Sequence, residues 1–94
     1  MPYINKVRIV DWKWETERNY THVRGRIRND GDRTIRYFKI KAYYQDNMEN
    51  VLDTDIDNDI KDLDPSMSKE FEIMHKNNPE YKDVRVEVYE VSFK

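Results

Sequence analysis

The sequence predicts an all-β fold, an antiparallel β-sandwich of six to seven strands. Three observations lead there. The 94 residues hold eight Val and eight Ile against two Leu and one Ala, with seven Tyr, three Phe and two Trp. Branched and aromatic side chains suit a pleated, half-buried surface, and the best apolar helix formers are nearly missing. Apolar residues recur at every second position through most of the chain, the period of a strand with one face in a core. Turn sequences break that alternation at the spacing of a sandwich.

Element by element, "KVRIVDWKW" opens with Val7 and Ile9 on one face and then Val10, Trp12 and Trp14 on the other. The phase slips by one residue near Val10, which predicts a bulge or a crossing between sheets. "YTHVRGRIRN" alternates without a slip. Val23, Gly25 and Ile27 face one way; His22, Arg24, Arg26 and Arg28 face the other. "NDGDRT" is a tight turn in which Gly31 is expected to take a positive φ. A long strand follows with Phe38, Ile40, Ala42 and Tyr44 in phase, and "QDNMEN" is the next connection. Beyond it come an aspartate-rich stretch, a turn at Pro65 and Ser66, and a short strand that buries Phe71 and Ile73. The last strand buries Val84, Val86 and Val88, then slips to Tyr89, Val91 and Phe93.

The length corresponds to one domain, residues 1–94, able to bury a modest core without staples. With no cysteine, a disulfide framework and a thiolate metal site are both excluded. The opening residues lack the apolar run of a signal peptide, and no stretch approaches a membrane span, so the expectation is a soluble chain without a transmembrane segment. Charge is segregated. Residues 20–44 carry seven Lys/Arg against two acids, and residues 45–65 carry one against eight, within a net charge of −2.

The stretch "VRGRIRNDGDRTIRYFKIKAYYQD" resembles the body of an FxLYD domain, a module of bacterial and archaeal proteins. The features shared are V-x-G-x-I-x-N, a Gly-Asp turn and an alternating strand ending at an aspartate. "LDPSMSKEFEI" and "YKDVRVEVYEV" resemble that family's later turn and final strand, so the resemblance spans nearly the whole chain. At the family's Phe-x-Leu-Tyr the present residues are Ala42, Tyr43, Tyr44 and Gln45, and Ser66 stands where glycine is usual. The resemblance implies an immunoglobulin-like sandwich, an accessory or binding role without catalytic residues, and an envelope-associated or secreted setting. Its partner would be a protein or an envelope polymer. In residue terms the shared motif is structural. Gly25 makes room for a large neighbour such as Trp12 or Trp14, while Asn29 and Asp32 hydrogen-bond the turn between them.

Three sets of residues bear on function. His22 and His75 lie on different elements, the serines have no base near them in sequence, and the expectation is no catalysis and no cofactor. Arg24, Arg26 and Arg28 form a ladder with steps of about 7 Å that could hold a polyanion, extended by Arg33, Arg36, Lys39 and Lys41. The competing reading is a solvated face paired with Glu70, Glu72 or Glu87. No specific nucleic-acid binding is expected from a chain of pI 5.7. Lastly, "DTDIDNDIKDLD" sets Asp53, Asp55, Asp57, Asp59 and Asp64 at spacings that could wrap calcium. Asn58 replaces the loop glycine, and the flanks are not helices. The reading carried forward is an edge strand whose aspartates face water while Ile56, Ile60 and Leu63 point inward.

Overall fold

A computed structural model describes residues 6–59 and 62–94. Its six strands are β1 (Val7–Glu17), β2 (Tyr20–Asn29), β3 (Ile35–Gln45), β4 (Val51–Asp59), β5 (Ser68–Lys76) and β6 (Asp83–Phe93). They form two antiparallel three-stranded sheets, ordered β1-β2-β5 and β4-β3-β6. The fold is the expected all-β sandwich. β1–β2 and β3–β4 are hairpins, and β5 and β6 then return one to each sheet.

The alternation seen in the sequence builds the core. Val23 and Ile27 of β2, Phe38, Ile40, Ala42 and Tyr44 of β3, and Phe71 and Ile73 of β5 are buried against Val84 of β6. Leu63, which bridges to Ile35 as an isolated pair, is buried as expected. Ile60 lies outside the described residues.

Both phase slips are β-bulges. In β1 the register with β2 shifts between Val10 and Lys13, where Asp11 takes φ 52°. The slip brings Trp14 opposite Val23 and against the core, and leaves Trp12 at the bulge, 36% exposed. A Cβ added to Gly25 would stand 2.6 Å from the Trp12 Cβ and 2.9 Å from its Cα. The close neighbour is therefore the backbone of the bulge more than the indole ring. In β6, Val88 pairs with Ile40 and Glu90 with Lys39, so Tyr89 is the extra residue. Val91 and Phe93 pack against the core, but Tyr89 is exposed, because a bulge residue drops out of the ladder and takes neither strand phase.

Turn chemistry accounts for the remaining signals. Asn29 is fully buried; its side chain donates to the carbonyls of Arg33 and Leu63 and accepts from the Gly31 N–H. Gly31 does not take a positive φ. Its need is space, since a Cβ there would lie 3.2 Å from Lys6 Cβ and 3.3 Å from the Asn29 Oδ1 that caps its own N–H. Asp46 organises the β3–β4 connection by accepting from the Met48 and Asn50 N–H groups. The Asn50 side-chain amide also donates to it, and these bonds hold its carboxyl below the usual range. Ser66 sits at φ 71°, a left-handed conformation that costs a residue with a Cβ roughly 1–2 kcal/mol. Ser66→Gly should therefore raise stability by about 0.5–1 kcal/mol after glycine's larger unfolded-state entropy is counted. A midpoint shift in urea unfolding checks it.

Candidate functional site

The aspartate stretch is an edge strand, but turned the other way from the expectation. Among the described residues β4 pairs only with β3, with Asp53 opposite Tyr44, Asp55 opposite Ala42 and Asp57 opposite Ile40. Those three β3 residues face the core, and directly paired residues project to the same face. The aspartates thus point toward the other sheet and Ile56 points out, 40% exposed. The cause lies across the gap. Asp53 accepts a hydrogen bond from the Tyr81 hydroxyl, and Asp55 Oδ2 lies 3.0 Å from Nδ1 of His75. Asp57 accepts from the backbone N–H of Glu72. His75 and Glu72 lie on β5, so Asp55 and Asp57 join the edges of the two sheets, while Asp53 ties β4 to Tyr81 in the β5–β6 connection. Asp55 also takes the Ile56 N–H at 2.8 Å, and Asp57 takes that of Asn58. These are donors that an edge strand would otherwise offer to another chain.

Aromatic rings pack beneath this seam. Tyr44, fully buried, stacks on His75 at 4.7 Å between centroids and on Tyr81 at 5.0 Å. Burial drives both phenols well above their ordinary range, helped at Tyr81 by the bond to Asp53, so both stay protonated. The Tyr44 hydroxyl has no hydrogen-bond partner among the described residues. His75 is half-buried here, on β5 beneath the seam. The signal was available: His75 is two positions from the core residue Ile73, and Tyr44 is in phase with Phe38.

Burial also raises the Asp57 carboxyl above the usual range, opposed by its two backbone N–H bonds. A carboxyl raised by folding favours the folded state at low pH and loses that contribution as pH climbs through its folded pKa. Asp57→Asn should therefore gain stability relative to the wild type between acid and neutral pH. Glu72 works in the opposite sense. The Arg24 hydrogen bond holds it low, so its contribution is present above the unfolded value and lost as pH falls through the lowered one. Urea unfolding of both proteins at pH 3–4 and pH 7 separates the two; a constant difference would contradict the assignment to Asp57.

The five aspartates named as calcium ligands are spread out. Asp53, Asp55 and Asp57 follow one another along an extended strand at about 7 Å per step. Asp59 pairs with Phe38 through its backbone, and Asp64 accepts from the Thr34 hydroxyl at 2.9 Å in the next segment. Among the described residues no three His, Cys, Asp or Glu side chains come together as a metal-holding group.

The ladder residues Arg24, Arg26 and Arg28 lie on the outer face of the β1-β2-β5 sheet with His22, as the alternation predicts. Arg24 bonds Glu72 at 2.5 Å and Glu15 at 2.9 Å, and Arg26 reaches Glu70 at 3.2 Å. Arg28 bonds Asp30 at 2.7 Å and the Ser66 carbonyl. A depression of 480 Å³ around Gly25 is flanked by Lys13, Arg24 and Arg26 together with Asp11, Glu70 and Glu72. Lys39 and Lys41 do not extend this strip. They belong to β3 and lie on the outer face of the other sheet, because the chain changes sheets after Asn29. Glu87 is on that sheet too, accepting from the Tyr43 hydroxyl. There Lys41 sits 5.1 Å from the Tyr43 ring and 4.6 Å from Tyr89, and Arg85 lies 4.1 Å from Tyr43.

Among known proteins, no family model matches the chain, and no curated protein matches it. A solved structure of a DUF1425 family member from Shewanella sp. pv-4 is similar in fold, with a TM-score of 0.66 at 13% identity. The match covers 89% of this chain and 77% of that one. No helix among the described residues is long and apolar enough to cross a membrane.

Proposed function

We propose that the chain is a non-enzymatic interaction or spacer module of a bacterial or archaeal surface-associated protein. One observation carries the reading: the side chains richest in chemistry are engaged in holding strands together. Asp55 and His75 tie β4 to the opposite sheet and Asp53 and Tyr81 tie it to the β5–β6 connection, and the ladder arginines are paired with carboxylates on and beside their own sheet. A His–carboxylate pair works as a general base when a reacting proton lies within reach of the free ring nitrogen. The neighbours of the His75 ring are the rings of Tyr44 and Tyr81. Interaction surfaces are enriched in tyrosine and arginine, and the outer face of the β4-β3-β6 sheet offers Tyr37, Tyr43, Tyr89 and Arg85. The surface-associated setting and a protein or envelope polymer as partner rest on the resemblance to FxLYD domains. An elongated body of 41 × 24 × 19 Å suits a spacer.

The test is an assay of the wild type and His75→Gln against general esterase, phosphatase and glycosidase substrates. The reading expects no turnover that depends on His75. A turnover abolished in His75→Gln, with the fold retained by circular dichroism, would establish an enzyme instead.

A further inference from the structure

We propose that β6 is a self-pairing edge, through which two copies of this chain join about a two-fold axis and continue the β4-β3-β6 sheet from one copy into the other. This goes beyond the interaction-module reading and does not depend on it.

The two sheets have four edges, β1, β5, β4 and β6. Among the described residues, β1, β5 and β4 carry a device against strand addition in mid-strand, whereas β6 carries its own at the two ends of one stretch, the Asp83 side chain on the Val84 N–H and the bulge at Tyr89. β1 is broken by the bulge at Asp11. The Glu72 N–H of β5 is taken by Asp57, and on β4 the N–H groups of Ile56 and Asn58 are taken by Asp55 and Asp57. In β6 the stretch Val84–Val88 runs in unbroken register with β3 and holds neither proline nor lysine. A stretch in regular register is an edge that can take up another strand.

Ladder geometry shows which groups that edge presents. In an antiparallel pair, alternate residues turn their N–H and C=O toward the partner and away from it. The Ile56 N–H goes to Asp55, away from β3, so Asp55 and its partner Ala42 bond each other. Ala42 then faces away from β6, and Val86 opposite it turns its backbone groups outward. The Val84 N–H, taken by the Asp83 side chain at 2.8 Å, agrees with this. Val84, Val86 and Val88 therefore turn their backbone groups outward, the Val84 N–H being capped by Asp83, and Val86 can sit on a two-fold axis as a hydrogen-bonded pair with itself.

The side chains select that register. Val84-Arg85-Val86-Glu87-Val88 is palindromic in its valines and antisymmetric in its charges. Antiparallel pairing centred on Val86 sets Arg85 opposite the second copy's Glu87, and Glu87 opposite its Arg85. Opposite charges directly across a ladder stabilise it. Shifting the centre by one residue sets Arg85 against Arg85 or Glu87 against Glu87, which like-charge repulsion disfavours. Within one copy Arg85 and Glu87 pair with each other at 3.8 Å, and with side chains 52% and 42% exposed both can also meet a partner strand. The valines of the incoming strand project to the inner side, beside a 390 Å³ groove lined by Val7, Ile9, Trp12, Val86 and Val88 with Arg8 and Glu87 at its rim. Covering that groove buries the half-exposed Trp12. Such an isologous contact closes on itself and stops at two copies.

The experiment is sedimentation over a concentration series for the wild type, Arg85→Glu, Glu87→Arg and an equimolar mixture of the two variants, each checked for fold by circular dichroism. The wild type is expected to dimerise, and each variant to associate at least about tenfold more weakly, since both cross-strand pairs become repulsive. The mixture should recover the dimer, because each glutamate of one variant then lies opposite an arginine of the other. A wild type that is monomeric up to about 1 mM overturns the proposal. So does a dimer indifferent to both substitutions, or a mixture that fails to recover.

Discussion

Asn29→Ala should cost roughly 2–4 kcal/mol, the largest loss expected from any single side chain here that lies outside the apolar core. Three bonds go at once: two donated to the carbonyls of Arg33 and Leu63 and one accepted from the Gly31 N–H. The residue is fully buried, so little water reaches the groups left behind. Each orphaned buried group costs about 1–3 kcal/mol, and Leu63 is partly spared because its carbonyl also accepts from the Ile35 N–H. The effect should appear as a lower urea midpoint at unchanged slope. Asn29→Asp sharpens the test: it keeps the acceptor for Gly31 and loses both donors. A loss under about 1 kcal/mol for the alanine variant would mean that the connections after β2 and before β5 hold themselves.

Gly25→Ala should destabilise by about 1–3 kcal/mol, although alanine in an ordinary strand stabilises over glycine by roughly 0.5–1 kcal/mol. The sign reverses because the new methyl would meet the Cβ and Cα of Trp12, and Phe71 at 3.1 Å from the other side. The Trp12 atoms belong to the bulge backbone and cannot rotate away. Gly25→Val should be worse. A neutral or stabilising alanine substitution would show that the β1 bulge is free to shift.

The period of two made the interior of β2 and β3 readable, because Val23 and Ile27 in β2, and Phe38, Ile40 and Tyr44 in β3, stand at even spacing on one face of their strand. Phase slips likewise marked both bulges. What the period leaves open is which face of a strand lies inward when both faces are mixed. In β4 it groups Asp53, Asp55 and Asp57 against Ile56, and hydropathy alone turns the aspartates out. The deciding partners, His75 and Tyr81, stand 20 and 28 positions away from theirs, beyond any local pattern. Tyr89 shows the same limit on a smaller scale: a slip says that one residue is extra, not which. The basic run divided between two sheets for a related reason. Charge is a property of the sequence segment, but the turn after Asn29 sends Arg24–Arg28 and Lys39–Lys41 to opposite faces of the sandwich.

The central claim is that the aspartates of β4 hold the two sheets together, and that no cation is needed among them. Thermal melts of the wild type and of an Asp53→Ala, Asp55→Ala variant, with and without calcium at constant ionic strength, test it most directly. The double substitution removes the partner of Tyr81, the partner of His75 and the cap on the Ile56 N–H. It should lower stability by roughly 1–3 kcal/mol in the absence of calcium, at about 0.5–1 kcal/mol per half-exposed contact. Calcium should then shift neither protein beyond what the same ionic strength of sodium does. A calcium-specific stabilisation of the wild type by about 2.7 kcal/mol, the effect of a ligand at a hundred times its dissociation constant, that vanished in the variant would contradict the account and make the stretch a metal site.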